Sequence, residues 1–275
     1  MQVSICYEYL SSDLTAHYAV DELPDAKNFG MHIHDLYEIY YFVSGEVNYL
    51  VEGHEYTLEP NTLMIMRPGE SHAAKILKEK PYQRYYINFH ASLLDEVDPE
   101  HRLLRAFTDR DLGFGNQYRE SEFGDIPLKK IFESMYRCRD NDYNKRLNIS
   151  IHLFLLLDRI NRVYDQRGTV RDIPSGGLSE KVVAYVNHHL TDELSVPLLA
   201  KEFYLSTSQF SRIFKQATGA SVWEYIIRKR LTLAKEAMRN GCSARKASDM
   251  CGFRDYSVFY RAYVKHFGHA PTEGD

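Results

Sequence analysis

Three imidazoles and a carboxylate stand at spacings that could do chemistry. His32-x-His34-x-x-x-Glu38 is followed by Gly45 and then by Pro68-Gly69-x-x-His72. Residues 32, 34 and 38 share parity, so on one continuous strand their side chains would leave the same face. Imidazole and carboxylate are transition-metal ligands, and a further His from a later strand would complete a site for a divalent ion. Tyr40 and Phe42 have the same parity. They would either extend that face as an aromatic wall for a sugar or another small organic effector, or form plain core. The remaining histidines of the first 166 residues, His17, His54, His90, His101 and His152, show no useful spacing. No glycine-rich phosphate loop, G-x-S-x-G elbow or zinc-finger spacing is present.

The elements that must carry these residues follow from the texture around them. From His32 to His90, short apolar and aromatic runs alternate with turn signals such as Glu52-Gly53-His54, Glu59-Pro60-Asn61 and Arg67-Pro68-Gly69-Glu70. That rhythm predicts a small β-sandwich or barrel. From about Leu128 the pattern becomes helical, with helices expected over Lys129 to Arg139 and Lys145 to Tyr164. Leu147, Ile151, Phe154 and Leu155 recur at helical spacing. The second helix is unusually apolar around Leu153 to Leu157, which implies burial on more than one side. A homodimer partner or a second layer within the same subunit would supply that burial. The stretch from Arg167 to Gly177 is dense in residues that punctuate structure and reads as a linker (167–177) between an effector-binding and dimerisation domain (1–166) and a second domain (178–275).

Charge sharpens this division. The 275-residue chain carries 34 Lys and Arg against 38 Asp and Glu, net −4, which taken whole argues against nucleic acid. From Leu178 onward, however, 14 basic residues face 10 acidic ones, while the preceding part holds 20 against 28. A basic domain following an acidic one suggests two different partners. Cys6, Cys138, Cys242 and Cys251 are scattered and read as reduced thiols. No apolar run reaches the ~20 residues of a membrane span, and Met1 to Glu8 lacks a basic leader followed by an apolar stretch. The expectation is a cytoplasmic chain with no membrane partner.

The basic part repeats itself. Ala200-Lys201-Glu202-Phe203 aligns with Ala247-Ser248-Asp249-Met250, and Phe210, Arg212, Phe214 and Gly219 align with Phe259, Arg261, Tyr263 and Gly268. Each copy reads as helix, tight turn, helix. Ser208, Ser211, Arg212 and Lys215 point away from the apolar stripe of the first copy, and Tyr256, Ser257, Tyr260 and Arg261 do so in the second. Arg can grip guanine in a bidentate pair, Ser and Tyr reach base or phosphate oxygens, and Lys neutralises phosphate. A connecting helix from Val222 to Met238, with Trp223, Ile226, Ile227, Leu231 and Ala234 inward, would span ~25 Å. Two reading helices could then enter successive major grooves of double-stranded DNA.

The stretch Leu178 to Pro271 resembles the paired helix-turn-helix domain of the AraC family of transcriptional regulators. The resemblance rests on Gly252-Phe253-Arg254-Asp255-Tyr256-Ser257-Val258-Phe259-Tyr260-Arg261 with Phe267-Gly268-His269-Ala270-Pro271. It extends to Leu205-Ser206, Phe210-Ser211-Arg212-Ile213-Phe214-Lys215 and Arg230-Leu231. Val264 departs from the family's usual basic residue, and Thr272-Glu273-Gly274-Asp275 stands in place of its Tyr-Arg. The histidine spacing upstream is similar to the cupin motif, lacking one residue between Pro68 and Gly69.

Together these resemblances imply an α+β chain of two domains. A cupin-like β-barrel with following helices would precede an all-α domain of two helix-turn-helix units joined by a long helix. They also imply a transcriptional activator and not an enzyme, with a small-molecule effector near His32, His34, Glu38, Tyr40 and His72. Its partners would be promoter DNA, a second copy of the chain and RNA polymerase, with no cofactor. The competing expectation is a metal-dependent cupin enzyme that uses His32, His34, Glu38 and His72 as ligands and carries an accessory DNA-binding domain.

Overall fold

The computed structural model of the chain describes residues 3–168 and 177–272. Its first part comprises β1 (Val3–Leu10), β2 (Leu14–Asp21), β3 (Tyr37–Ser44), β4 (Val47–Val51), β5 (His54–Thr57), β6 (Thr62–Met66), β7 (His72–Ile76) and β8 (Tyr82–Phe89). These are followed by the single-turn α1 (Arg105–Thr108), the short β9 (Gln117–Tyr118), α2 (Leu128–Arg137) and α3 (Asp142–Arg167). One sheet runs β1-β2-β8-β3-β6-β9 and a second runs β5-β4-β7. Pairing is antiparallel in both. Turn chemistry sets the register: Glu52 and Gly53, at φ 49° and 86°, join β4 to β5 in a two-residue hairpin loop that requires left-handed backbone at both positions.

Strands at the centre of the large sheet are buried on both faces. Ile39 and Tyr41 of β3 and Leu63 and Ile65 of β6 face a core shared with α2 and α3. Tyr40, Phe42, Met64 and Met66 face the small sheet and pack with Val47, Tyr49 and Tyr82. Two-sided burial explains why these strands read as near-continuous apolar runs. On α3 the buried stripe is Ile149, Leu153, Leu156, Leu157, Ile160 and Val163. Tyr143, Leu147, Ile151 and Leu155 form a second, exposed stripe at four-residue intervals.

The second part is all helix: α4 (Leu178–His188), α5 (Val196–Glu202), α6 (Thr207–Thr218), α7 (Val222–Arg239), α8 (Ala244–Met250) and α9 (Tyr256–Phe267). The repeat is carried into backbone detail. Ser195 and Ser243 cap α5 and α8, Ser206 and Asp255 cap α6 and α9, and left-handed Gly219 and Gly268 terminate α6 and α9. Each tight turn holds one left-handed residue, Tyr204 in the first copy and Gly252 in the second. The 18-residue α7 is ~27 Å long. Its Ile226, Leu231 and Ala234 are buried as the periodicity predicts. Trp223 is not: at the second position of the helix, it lies 54% exposed. Arg230 is buried and bonds the carbonyls of Leu190 (2.6 Å), Asp192 (2.7 Å) and Gly252 (2.7 Å), tying the two units together. Most of the predicted linker, residues 169–176, lies outside the described residues, as does the terminal Glu273-Gly274-Asp275.

The two parts dock through α4 and α7. Glu52, in the β4–β5 turn, is buried and paired with Lys229 of α7. It also accepts from the Ser71 amide (2.5 Å), Asn187 of α4 (2.7 Å) and the Tyr225 hydroxyl (2.5 Å). Lys229 donates in addition to the Gly69 carbonyl at 2.7 Å. Arg228 bonds the Met31 carbonyl at 2.6 Å, and Asp35 takes Lys235 (3.3 Å) and Arg239 (2.5 Å). Met31 and Ile33 sit in the same apolar cluster as Phe210, Phe214 and Tyr225 of the helical part. The close fit leaves Gly53 no room for a side chain, since a Cβ there would meet Val183 at 2.8 Å.

Candidate effector site and nucleic-acid interface

His34, Glu38 and His72 converge. Their ligand atoms lie within 4.8 Å of one another. Glu38 comes from β3 and His72 from the start of β7, and His34 lies in the approach to β3. Glu38 Oε2 is 3.0 Å from His34 Nε2 and 3.4 Å from His72 Nε2, and Glu38 Oε1 accepts from the Tyr49 hydroxyl at 3.4 Å. Burial alone would raise the Glu38 pKa, but the His72 and His34 rings beside it hold its carboxyl well below the usual range. Burial likewise opposes charge on His72, yet Glu38 outweighs it and leaves the His72 pKa raised. Each Nδ1 faces a backbone carbonyl, that of Leu36 for His34 (3.0 Å) and that of Glu70 for His72 (2.9 Å).

The parity expectation fails for His32. The chain bends at Asp35-Leu36 before β3 begins, so residues 32 to 38 are not one strand. His32 instead forms an isolated bridge, exchanging backbone hydrogen bonds with His72 (2.8 and 3.0 Å), and its ring centroid lies 6.0 Å from that of His72, outside the convergent group. Tyr40 is 3% exposed and bonded through its hydroxyl to Tyr82 within the closed core between the sheets, so it forms core and no pocket wall. Larger openings lie elsewhere among the described residues. One cavity of about 400 Å³ separates the two parts beside Leu112, Phe114, Lys181 and His188. Another of about 780 Å³ lies beside Arg110, Gln117, Glu122 and Arg167.

On the helical part, Ser208, Arg212 and Lys215 are exposed along α6, with Ser211 half-buried. On α9, Ser257, Tyr260 and Arg261 are exposed; Tyr256 is half-buried against Phe259 and beneath the Arg245 guanidinium. The β-rich part meets α4, α7 and, through Met31 and Ile33, the buried Phe210 and Phe214 of α6. Glu52, Asp35, Asn187 and Lys229 were missed in the sequence, where Glu52 reads only as a turn residue and nothing singles out the other three.

Residues 17–157 match the AraC-like ligand binding domain, and residues 199–274 match a helix-turn-helix domain. The chain is 22% identical to the Msm operon regulatory protein of Streptococcus mutans over 94% of its length and 90% of that protein. It is 22% identical to the transcriptional activator RhaS of Salmonella schwarzengrund over 91% of its length and 88% of that protein. Similarity to the probable transcriptional regulator LumQ of Photobacterium leiognathi, 27%, spans 58% of this chain and 62% of that one. Among solved structures, ToxT of Vibrio cholerae aligns over 96% of this chain and 97% of its own at 12% identity, with a TM-score of 0.38. No described helix is long and apolar enough to cross a membrane. With an AraC-like ligand-binding domain over half its length and a DNA-binding helix-turn-helix domain behind it, this chain belongs to the AraC family of transcriptional regulators.

Proposed function

We propose that the chain is an effector-controlled activator that binds promoter DNA as a homodimer through α6 and α9, with Arg212 and Arg261 as base-reading residues. The carrying observation is geometric. Two repeated helices present exposed polar faces, held by one ~27 Å helix close to the ~34 Å of a DNA turn, while the ligand-binding domain grips that same connecting helix from another side. An activator role is supported by the name of the similar RhaS protein. The exposed Tyr143, Leu147, Ile151 and Leu155 stripe on α3 supports a second copy as partner. A carbohydrate effector loses its support, because the aromatic residues that suggested it, Tyr40 and Phe42, are closed into core.

The test is binding to a duplex selected by the full chain from a random-sequence pool. Arg212→Ala and Arg261→Ala should each weaken binding by about 5- to 150-fold and relax preference at one position. Unchanged affinity together with unchanged preference for both variants would overturn the assignment.

A further inference from the structure

Two histidines stand where the C-terminal half of α7 meets the β-rich domain. His90 follows β8 and is half-buried. The Arg239 guanidinium of α7 lies 3.2 Å from its Nε2, and the Ser92 hydroxyl faces its Nδ1 at 2.8 Å. A guanidinium can only donate, so this bond needs a lone pair on Nε2, and an imidazolium has none to offer. On the helical side, His266 is half-buried near the end of α9, beside Arg228 and Lys235 of α7 and facing Asp35. We infer that the contact between the two domains is a proton-operated latch, closed while His90 and His266 are neutral and opened when they take up protons.

The surrounding charges set the direction. Asp35 takes Lys235 at 3.3 Å and Arg239 at 2.5 Å, and Glu224 takes Arg228 at 2.8 Å. On the far side of His90, Asp13 is engaged by Arg146 (2.7 Å) and Asp95 by His101 (2.8 Å). Glu236 of α7 is exposed to water. A proton on either ring therefore adds a cation to a junction whose nearby carboxylates are already paired, and on His90 it also removes the bond from Arg239. Burial first, then Arg239 beside His90 and Arg228 and Lys235 beside His266, hold both imidazoles below their ordinary 6.5. Separation lets water reach the rings and restores that value. Docking is thus indifferent to pH well above 6.5, and below it the separated form takes up protons preferentially, so acid opens the latch. At the other end of the interface His54 pairs with Glu180 at 3.2 Å, a contact that a proton strengthens, so opening has to come from His90 and His266. It releases Arg228, Lys235 and Arg239 from the β-rich domain.

The experiment measures backbone nitrogen relaxation of the full chain at about pH 7.5 and about pH 5.5, which reads whether the two domains tumble with one correlation time or two. The comparison is the double variant His90→Gln, His266→Gln, whose side chains take no proton and whose residue-90 amide oxygen still accepts from Arg239. Parent and variant should share one correlation time at the higher pH. At the lower pH the parent should show two and the variant one. In the parent alone, the two imidazole resonances should titrate with midpoints below 6.5, a measurement that needs no variant. On the selected duplex, the slope of log affinity against log salt should steepen by up to about 2.7 on acidification in the parent and not in the variant. A parent that tumbles as one body at about pH 5.5, ring midpoints at or above 6.5, or a variant that separates or unfolds alongside the parent overturns the latch. Separation with an unchanged salt slope overturns its link to DNA.

Discussion

Replacing Lys229 by Met tests whether the buried pair with Glu52 holds the two domains together. The side chains are 6% and 2% exposed, so neither charge is screened by water. Lys229→Met keeps most of the aliphatic volume and removes the ammonium, leaving a buried carboxylate with three neutral donors, Ser71, Asn187 and Tyr225. Stranding one partner of a buried pair costs about 3–5 kcal/mol. The chain can avoid that cost by parting at the interface, where water then reaches Glu52, so the loss appears as undocking and not as global unfolding. Converted at 1.36 kcal/mol per decade, it raises the undocked population roughly 150- to 5,000-fold.

Amide hydrogen exchange reads this directly. The Ser71 amide is protected by Glu52, whereas Ile39 in β3 is buried within the sheet and serves as an internal reference. Ser71 exchange should accelerate at least about 100-fold while Ile39 stays unchanged. The double variant Glu52→Gln, Lys229→Met should recover most of the protection, because a neutral amide tolerates burial with the same neutral donors. Ser71 exchange within threefold of the parent in Lys229→Met would refute the reasoning outright. A double variant no better than the single would show that the loss is steric.

Further outcomes follow from single features. Gly252→Ala places a Cβ 2.8 Å from the Thr191 carbonyl and 3.0 Å from the Arg230 guanidinium carbon, at φ 82°. It should cost at least about 2 kcal/mol in denaturant unfolding, whereas Gly241→Ala, with open space beside it, should cost less. Leu147→Asp with Ile151→Asp should give a monomer in analytical ultracentrifugation with the melting temperature of the fold little changed, since both side chains are exposed; a persistent dimer would place the interface elsewhere. Asp13, bonded to Arg146 of α3, has its pKa lowered to about 2 by that hydrogen bond. A depressed carboxyl stabilises the folded state above its unfolded pKa of 3.8. The stability gap between the parent and Asp13→Asn should therefore be full above about pH 4 and shrink as pH falls toward 2, read by urea titration at stepped pH.

What the sequence shows depends on whether a physical constraint is local. The helix-turn-helix repeat was legible because caps, core residues and terminal glycines recur within each unit: Ser195 with Ser243, Phe210 with Phe259, Gly219 with Gly268. Alternating runs and Gly-containing turns likewise gave the β-rich domain. The convergence of His34, Glu38 and His72 was legible from residue types, but the inclusion of His32 was not. Parity holds only along an unbroken strand, and the bend at Asp35-Leu36 breaks it. On α3 the apolar residues at four-residue spacing that look most like a core, Leu147, Ile151 and Leu155, are the exposed ones; the buried set begins two positions later, and periodicity alone cannot rank two stripes on one helix. The Glu52–Lys229 pair joins residues 177 positions apart, and no local pattern marks either one for burial.

That pairing also changes what the charge split means for DNA binding. The helical part carries 14 basic residues, but its β-rich partner engages Arg228, Lys229, Lys235 and Arg239 on α7, and Arg230 is enclosed between the two units. The surplus that looks available for phosphate in the sequence is thus partly neutralised within the chain. Arg212, Lys215 and Arg261 remain exposed on the reading faces. With Arg212 and Arg261 on bases, Lys215 alone on phosphate gives a slope of log affinity against log salt of about −0.9 per protomer, and three or four flanking contacts would bring it to about −4. Fluorescence anisotropy across a salt series on the selected duplex measures it. A slope steeper than about −8 per protomer would require the α7 cations to reach phosphate, and hence a DNA-bound chain in which the two domains have come apart.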